Sequence, residues 1–294
     1  MSSIWAEQIP SRLKVAKVYL NRALYLRSNS SPFISGDLFA DEADICMYPP
    51  RFRGKNPDLS QIKSAQVIFC PSDKLQDFLH TYGNTIRAKV IISGNSDFEF
   101  HAIPIDIPKS VKQLFLQNSF VSDSPLVSTL PIGIENVRWG VNGFPKLMRE
   151  GGPWESRENR VLIGPFGLTC PERIEVRENF LDFSDSYFFV KNRLTPKKYS
   201  SLMGKYRYVA AVRGNGVDTH RFWEALYRGS VPVAKRDVWL EGIRHLKLPF
   251  MEVYQWEPGE LAEITEKKVN LSFNSKDLAP LWWPFWKKKI AEYL

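Results

Sequence analysis

Residues 208–237, YVAAVRGNGVDTHRFWEALYRGSVPVAKRD, constrain what this chain can fold into more than any other stretch. Residues 208–212 are a short apolar run of the kind a buried strand requires. Arg213, Gly214, Asn215 and Gly216 then break the chain, because two glycines permit a tight turn and a close approach of backbone to a ligand. Asp218 or Thr219 can cap a helix running to about Arg228, where Gly229 is placed to stop it. Residues 231–234 form the next apolar run. The unit is β-α-β, with a glycine turn at the carboxyl end of its first strand. Open parallel sheets bind nucleotides at such turns, where a helix N-terminus offers unpaired N–H groups to an anion.

The helix separates its side chains by face. Phe222, Ala225 and Leu226 share the face that packs on a sheet, and Arg221, Glu224 and Arg228 share another. That second face has two readings. One is a solvated stripe of ion pairs, which contributes little. The other places Arg213 and Arg221 on a diphosphate, through the bidentate guanidinium fork, and Glu224 on ribose hydroxyls.

Residues 213–226, RGNGVDTHRFWEAL, followed by Gly229-Ser230-Val231-Pro232-Val233, resemble the donor-side signature of exostosin-like glycosyltransferases. The same run is similar to the motif of GT-B-type enzymes generally: an arginine-glycine turn, a T-x-R-x-x-E-A-L helix and G-x-x-P-V. The match covers about thirty residues, and the rest of the chain agrees in layout only. The resemblance implies an α/β fold of two Rossmann-like domains, with mainly parallel sheets facing across a cleft. It implies a glycosyltransferase that moves a sugar from a nucleotide-sugar donor to a hydroxyl of a glycan or lipid-linked glycan, with inversion. Gly214, Asn215, Gly216, Asp218, Thr219 and His220 then join Arg213, Arg221 and Glu224 as donor-binding positions, with His220 beside the phosphates.

Upstream, short apolar runs alternate with helical patterns. Residues 33–34 lead into Ser35-Gly36-Asp37, residues 67–70 precede a helix from about Ser72, and residues 89–92 lead into a turn ending at Asp97. Residues 114–116 and 126–132 follow. After a glycine-rich stretch over 135–158 the alternation restarts, with strands at 161–163, 187–190, 208–212, 231–234 and 250–253. Helices are expected from Pro171, from Pro196 and over 238–246. Strand and helix alternating at this spacing predict parallel sheets with crossover helices. The boundary divides the chain into residues 1–145, the acceptor side, and residues 146–294, the donor side with a tail helix. Gly164 ends the first strand of the second unit, with Arg173 beyond it. A second glycine turn on the same sheet edge makes both candidates for the donor phosphates.

Inverting transfer requires a general base for the acceptor hydroxyl, usually a carboxylate from the opposing domain. Asp97 and Asp37 are the candidates, each on a glycine turn after an expected strand, with Glu135 next in line. Either aspartate has the plainer reading of a turn cap. No acidic pair with metal-ligand spacing accompanies the donor motif, so no metal and no other cofactor is expected. A nicotinamide-dependent enzyme fits poorly, since Thr219 stands where the dinucleotide fingerprint has its third glycine. A non-catalytic glycan-binding or regulatory subunit on a transferase scaffold is the remaining alternative.

The net charge of +8 gathers at the ends: residues 1–34 carry a balance of +4 and residues 282–294 a balance of +2. That distribution argues against a nucleic-acid groove through the body of the chain. Residues 11 to about 27 have the pattern of an amphipathic helix with a basic face, docked on its own domain or held at an anionic membrane surface. The aromatic segment 281–286, ahead of three lysines, is expected to cross back and dock on another domain. The first ten residues lack a secretory pattern, no eighteen apolar residues run together, and three scattered cysteines suit reduced thiols. A cytoplasmic protein is the expectation, with peripheral membrane contact through the basic termini as its variant.

Overall fold

The computed structural model describes residues 29–47, 56–121, 124–180, 183–267 and 271–294. The basic helix expected over 11–27 lies outside these residues. Two five-stranded sheets organise the rest, and every strand pairing within them is parallel.

The first sheet runs in simple order: β1 (Ile45–Cys46), β2 (Val67–Pro71), β3 (Val90–Gly94), β4 (Gln113–Gln117) and β5 (Val127–Leu130). β3 and β4 are buried at every position, as expected of strands covered on both faces. Residues 33–34 do not extend this sheet, contrary to the sequence expectation. Phe33 makes an isolated antiparallel bridge to Trp282, and Ser35 makes another to Gly133. The edge place is taken by β1, whose two residues are too short to leave a periodic signal. Asp37 therefore sits in the first turn of helix α1 (Gly36–Glu42), not at a strand end.

The second sheet comprises β6 (Glu158–Ile163), β7 (Tyr187–Phe189), β8 (Tyr206–Ala210), β9 (Val231–Lys235) and β10 (Met251–Val253), in the order β10-β9-β8-β6-β7. Helix α2 (Pro171–Asn179) carries the chain from β6 out to β7, and α3 (Pro196–Met203) returns it past β6 to β8. From there α4 (His220–Tyr227) and α5 (Val238–Ile243) continue outward in the opposite direction. The direction of winding reverses between β6 and β8, which opens a crevice at the carboxyl ends of those strands.

One hydrophobic cluster joins helix α4 to the first sheet. Phe222, Trp223, Leu226 and Tyr227 pack with Ile34, Phe39, Phe115 and Leu130. The Tyr227 hydroxyl accepts from the backbone N–H of Ile34 at 3.1 Å and donates to the Leu281 carbonyl. The C-terminal helix α6 (Trp283–Ala291) docks on the same cluster, as the aromatic segment predicts. Phe39 meets Trp283 and Trp286 edge-on at 5.3 and 5.8 Å, and Lys287 faces outward to Glu42. No described helix is long and apolar enough to cross a membrane.

Trp286 is wholly buried and its indole N–H donates to the Pro280 carbonyl at 2.8 Å. Trp286→Ala is expected to cost about 3–5 kcal/mol in urea unfolding, from lost burial and the cavity left behind. A loss below about 1 kcal/mol would mean that the tail contributes little to the fold.

Candidate functional site

The turn after β8 is held from the first sheet's side. A Cβ on Gly216 would lie 2.7 Å from the Asn118 side-chain nitrogen, so only glycine permits this approach. Asn118 Oδ1 accepts the backbone N–H of Asp218 at 3.0 Å. The Asp218 carboxylate, 3% exposed, accepts the Ile132 N–H through one oxygen and the Trp223 indole N–H through the other, both at 2.7 Å. Burial pushes its pKa up to about 8, against the pull of those two hydrogen bonds. Thr219 is the N-cap residue, yet its hydroxyl makes no capping bond. His220 opens the helix and donates from Nδ1 to the Gly133 carbonyl at 2.8 Å.

The crevice forms a cavity of about 570 Å³ lined from both sheets. Arg173, Lys191, Arg193 and Arg221 line it from the β6–β9 side, and Asp97, Glu135 and Asn142 from the other. Arg173 and Arg221 flank one ring, their guanidinium carbons 5.4 and 5.7 Å from the centroid of Phe166. Arg221 also lies 5.0 Å over Tyr199 and donates to the Pro165 carbonyl at 2.6 Å. Arg173 donates to Gly167 O and Thr169 Oγ1, each at 3.2 Å. Burial lowers the Arg173 pKa, and the neighbouring charge of Arg221 lowers it further. The like charges of Arg173 and Arg221 favour a bound anion nearby.

Four buried polar atoms around this cavity have no hydrogen-bond partner among the described residues: Arg173 Nε, Tyr199 Oη, Thr219 Oγ1 and Arg221 Nη1. Buried polar groups in folded proteins are nearly always satisfied, so such a cluster marks a place for polar ligand atoms. Glu224, one turn into α4, also lines the cavity. Burial raises its pKa, opposed by His220 and Arg221. No ion pair links Arg221, Glu224 and Arg228, so of the two readings of this face the ion-pair stripe is not found. Arg221 reaches Pro165, and Arg228 donates to the carbonyls of Leu147 and Arg149.

Of the residues expected at the site, Asp97, Arg173, Gly214, Asn215, Gly216, Asp218, Thr219, His220, Arg221 and Glu224 come together here. Three do not. Arg213 leaves the turn on its other side and pairs with Glu99 at 2.5 Å. Gly164, at φ +71°, shapes the turn that presents Pro165 and Phe166, without lining the cavity itself. Asp37 is buried beside Arg138 at 3.2 Å and accepts from Asn95 at 3.4 Å, so its carboxylate ties loops together away from the cavity. Lys191, Arg193 and Tyr199 were not anticipated. Their signal was present, since K-N-R follows directly on an expected strand at the same sheet edge.

Asp218 is the titrating tie across the site. Its folded-state pKa lies above the unfolded value, so the folded chain retains a proton that the unfolded chain has lost. Its contribution to stability is therefore complete below about pH 4 and is lost as pH rises through about 8. Urea midpoints at pH 5, 7 and 9 should show wild type losing stability relative to Asp218→Asn as pH rises. A difference that does not change with pH would contradict this. Asp218→Ala strands two buried N–H donors and should cost about 3 kcal/mol at pH 5.

No described protein family matches the sequence, and no curated protein is significantly similar to it. Among solved structures, the crystal structure of AviGT4, a glycosyltransferase involved in avilamycin A biosynthesis, is similar to this chain. The likeness covers 77% of this chain and 83% of that one, at 12% identity and a TM-score of 0.36. A likeness of that size fixes neither fold nor activity.

Proposed function

We propose that this chain is a glycosyltransferase of the GT-B type, moving a sugar from a nucleotide-sugar donor to a hydroxyl of a glycan or lipid-linked glycan. The observation that carries the reading is the polarity of the cavity. Four cations from the β6–β9 side face two carboxylates from the other side, next to the donor-like turn and helix. Transfer from a nucleotide sugar requires both walls. A cationic wall stabilises the departing diphosphate, and a carboxylate wall accepts the proton of the attacking hydroxyl.

In this reading Arg173 and Arg221 hold the diphosphate, with Lys191, Arg193 and the N–H groups opening α4 adding positive potential. Side chains supply the charge, so the mechanism calls on no metal. Glu224 accepts the ribose hydroxyls. The acceptor oxygen attacks the anomeric carbon from the face opposite the leaving phosphate. Its proton passes to Asp97, the carbon–oxygen bond to phosphate breaks, and the configuration inverts. Asp97 accepts from Asn215 at 3.1 Å, which holds the carboxylate against the donor turn. Glu135 is the second carboxylate on that wall, fixed by the Asn142 backbone N–H at 2.7 Å.

Calorimetric titration with nucleoside diphosphates tests the donor half. Arg173→Ala and Arg221→Ala should each cost on the order of 3 kcal/mol, about a hundredfold, of transition-state stabilisation. Each should also weaken nucleotide binding. Glu224→Ala should mainly weaken donor binding, with little change in stability without ligand. Normal nucleotide affinity in all three variants would remove the main support for a transferase. Asp97→Asn should slow transfer by on the order of a hundredfold or more while nucleotide affinity holds. Retained turnover would pass the role of base to Glu135.

A further inference from the structure

The loop that leaves the main cavity at Asp97 holds large apolar side chains in water. Phe98 is 48% exposed, Ile103 37% and Ile105 67%, and His101 and Ala102 between them are exposed as well. A single exposed apolar residue needs no explanation, but a run of this kind on one loop marks a contact surface.

The loop is tied down at several points. The Phe98 N–H donates to Ser96 Oγ at 3.3 Å. Phe100 donates its N–H to the Asn118 carbonyl at 3.1 Å, and its own carbonyl accepts the Phe120 N–H at 2.8 Å. Ile105 is bonded twice to one side chain of the helix Leu75–Tyr82: its N–H donates to Gln76 Oε1 at 3.1 Å, and its carbonyl accepts from Gln76 Nε2 at 3.4 Å. Pro104 has no N–H to satisfy. Asp106, next along, turns back at φ +62° toward His80, 3.6 Å away. Phe98 and Ile105 are thus presented to the outside on backbone that is already paired. Pairing of this kind is what entry into a lipid layer requires, since a peptide group there has no water to turn to.

The place of the loop bears on what covers it. Asp97 lines the main cavity and accepts from Asn215, and Glu99 pairs with Arg213, so Phe98 stands between two residues bound to the donor-side turn. A protein seated on 98–105 would crowd the acceptor's approach to Asp97. A lipid surface that carries the acceptor would deliver it there.

We infer that the loop 98–105 seats the acceptor side of the cavity on a lipid surface. Resting on the transferase reading, this narrows the acceptor to a lipid-linked one. Phe98, Ile103 and Ile105 enter the boundary between headgroups and acyl chains, as the apolar face of an interfacial segment does. The contact is apolar, which separates it from any attraction of the basic chain ends to anionic lipid.

Flotation with vesicles of phosphatidylcholine, alone or mixed with phosphatidylglycerol, at low and at high salt reads the contact. Titration of the same proteins with UDP and GDP reads the main cavity. Wild type should bind both kinds of vesicle. Ile103→Ser/Ile105→Ser removes exposed side chains and leaves the backbone bonds to Gln76 in place. It should weaken vesicle binding by roughly tenfold or more at both salts, with nucleotide affinity unchanged. Binding that needs anionic lipid, vanishes at high salt and is the same in the variant would place the contact at the basic ends and overturn the inference. So would a wild type that binds no vesicles, or a wild-type dimer in sedimentation velocity that the variant dissolves. Nucleotide affinity lost along with vesicle binding would show that the loop shapes the cavity, and would overturn it too. Wild type that binds vesicles but neither nucleotide would sink the donor reading and, with it, the assignment of a lipid-linked acceptor.

Discussion

The buried carboxylate of Asp218 is the interaction on which the rest of this structure depends. It sits where the β8 turn becomes helix α4, and it joins the Ile132 backbone after β5 to the Trp223 indole within the helix. Asn118 adds a third tie, accepting from the Asp218 backbone at the end of β4. These ties fix the start of helix α4 against the first sheet. With them, helix α4 presents His220, Arg221 and Glu224 to a cavity lined from both sheets. The cost is a carboxyl group removed from water, expressed in its elevated pKa.

Cations reach the main cavity from α2, from the loop after β7 and from α4; Asp97 and Glu135 reach it from the loops beyond β3 and β5, and Glu224 from α4. On the turn's other face, Arg213 is bound to Glu99, so the first sheet's loop contacts the turn on both sides, through Glu99 and through Asp97. The same helix that carries the site buries Phe222, Trp223 and Leu226 completely, so its position is set by packing as well as by polar ties.

Much of this was legible beforehand. The parallel strands were readable as apolar runs because strands covered on both faces need continuous hydrophobicity. The helix face of Phe222, Ala225 and Leu226 and the stop at Gly229, with φ +72°, followed from periodicity and from glycine's freedom in the left-handed region. What failed was direction. Arg213 adjoins the glycine turn in sequence, but which side of a turn a side chain leaves depends on partners far along the chain, here Glu99. Asp37 looked like Asp97 by local pattern, a glycine turn after apolar residues. Only the packing of residues 33–35 against Trp282 and Gly133 separates a buried tie from an exposed carboxylate. Lys191 and Arg193 escaped notice because no glycine flags their loop, although it ends a strand at the same sheet edge.

The most direct test is a crystal structure of the protein with a nucleoside diphosphate. The phosphates should lie between the guanidinium groups of Arg173 and Arg221, over the N-terminus of α4, with the ribose hydroxyls on Glu224. Nucleotide bound elsewhere, with Arg173 and Arg221 still side by side around Phe166 and no anion between them, would contradict the assignment of this cavity to a donor.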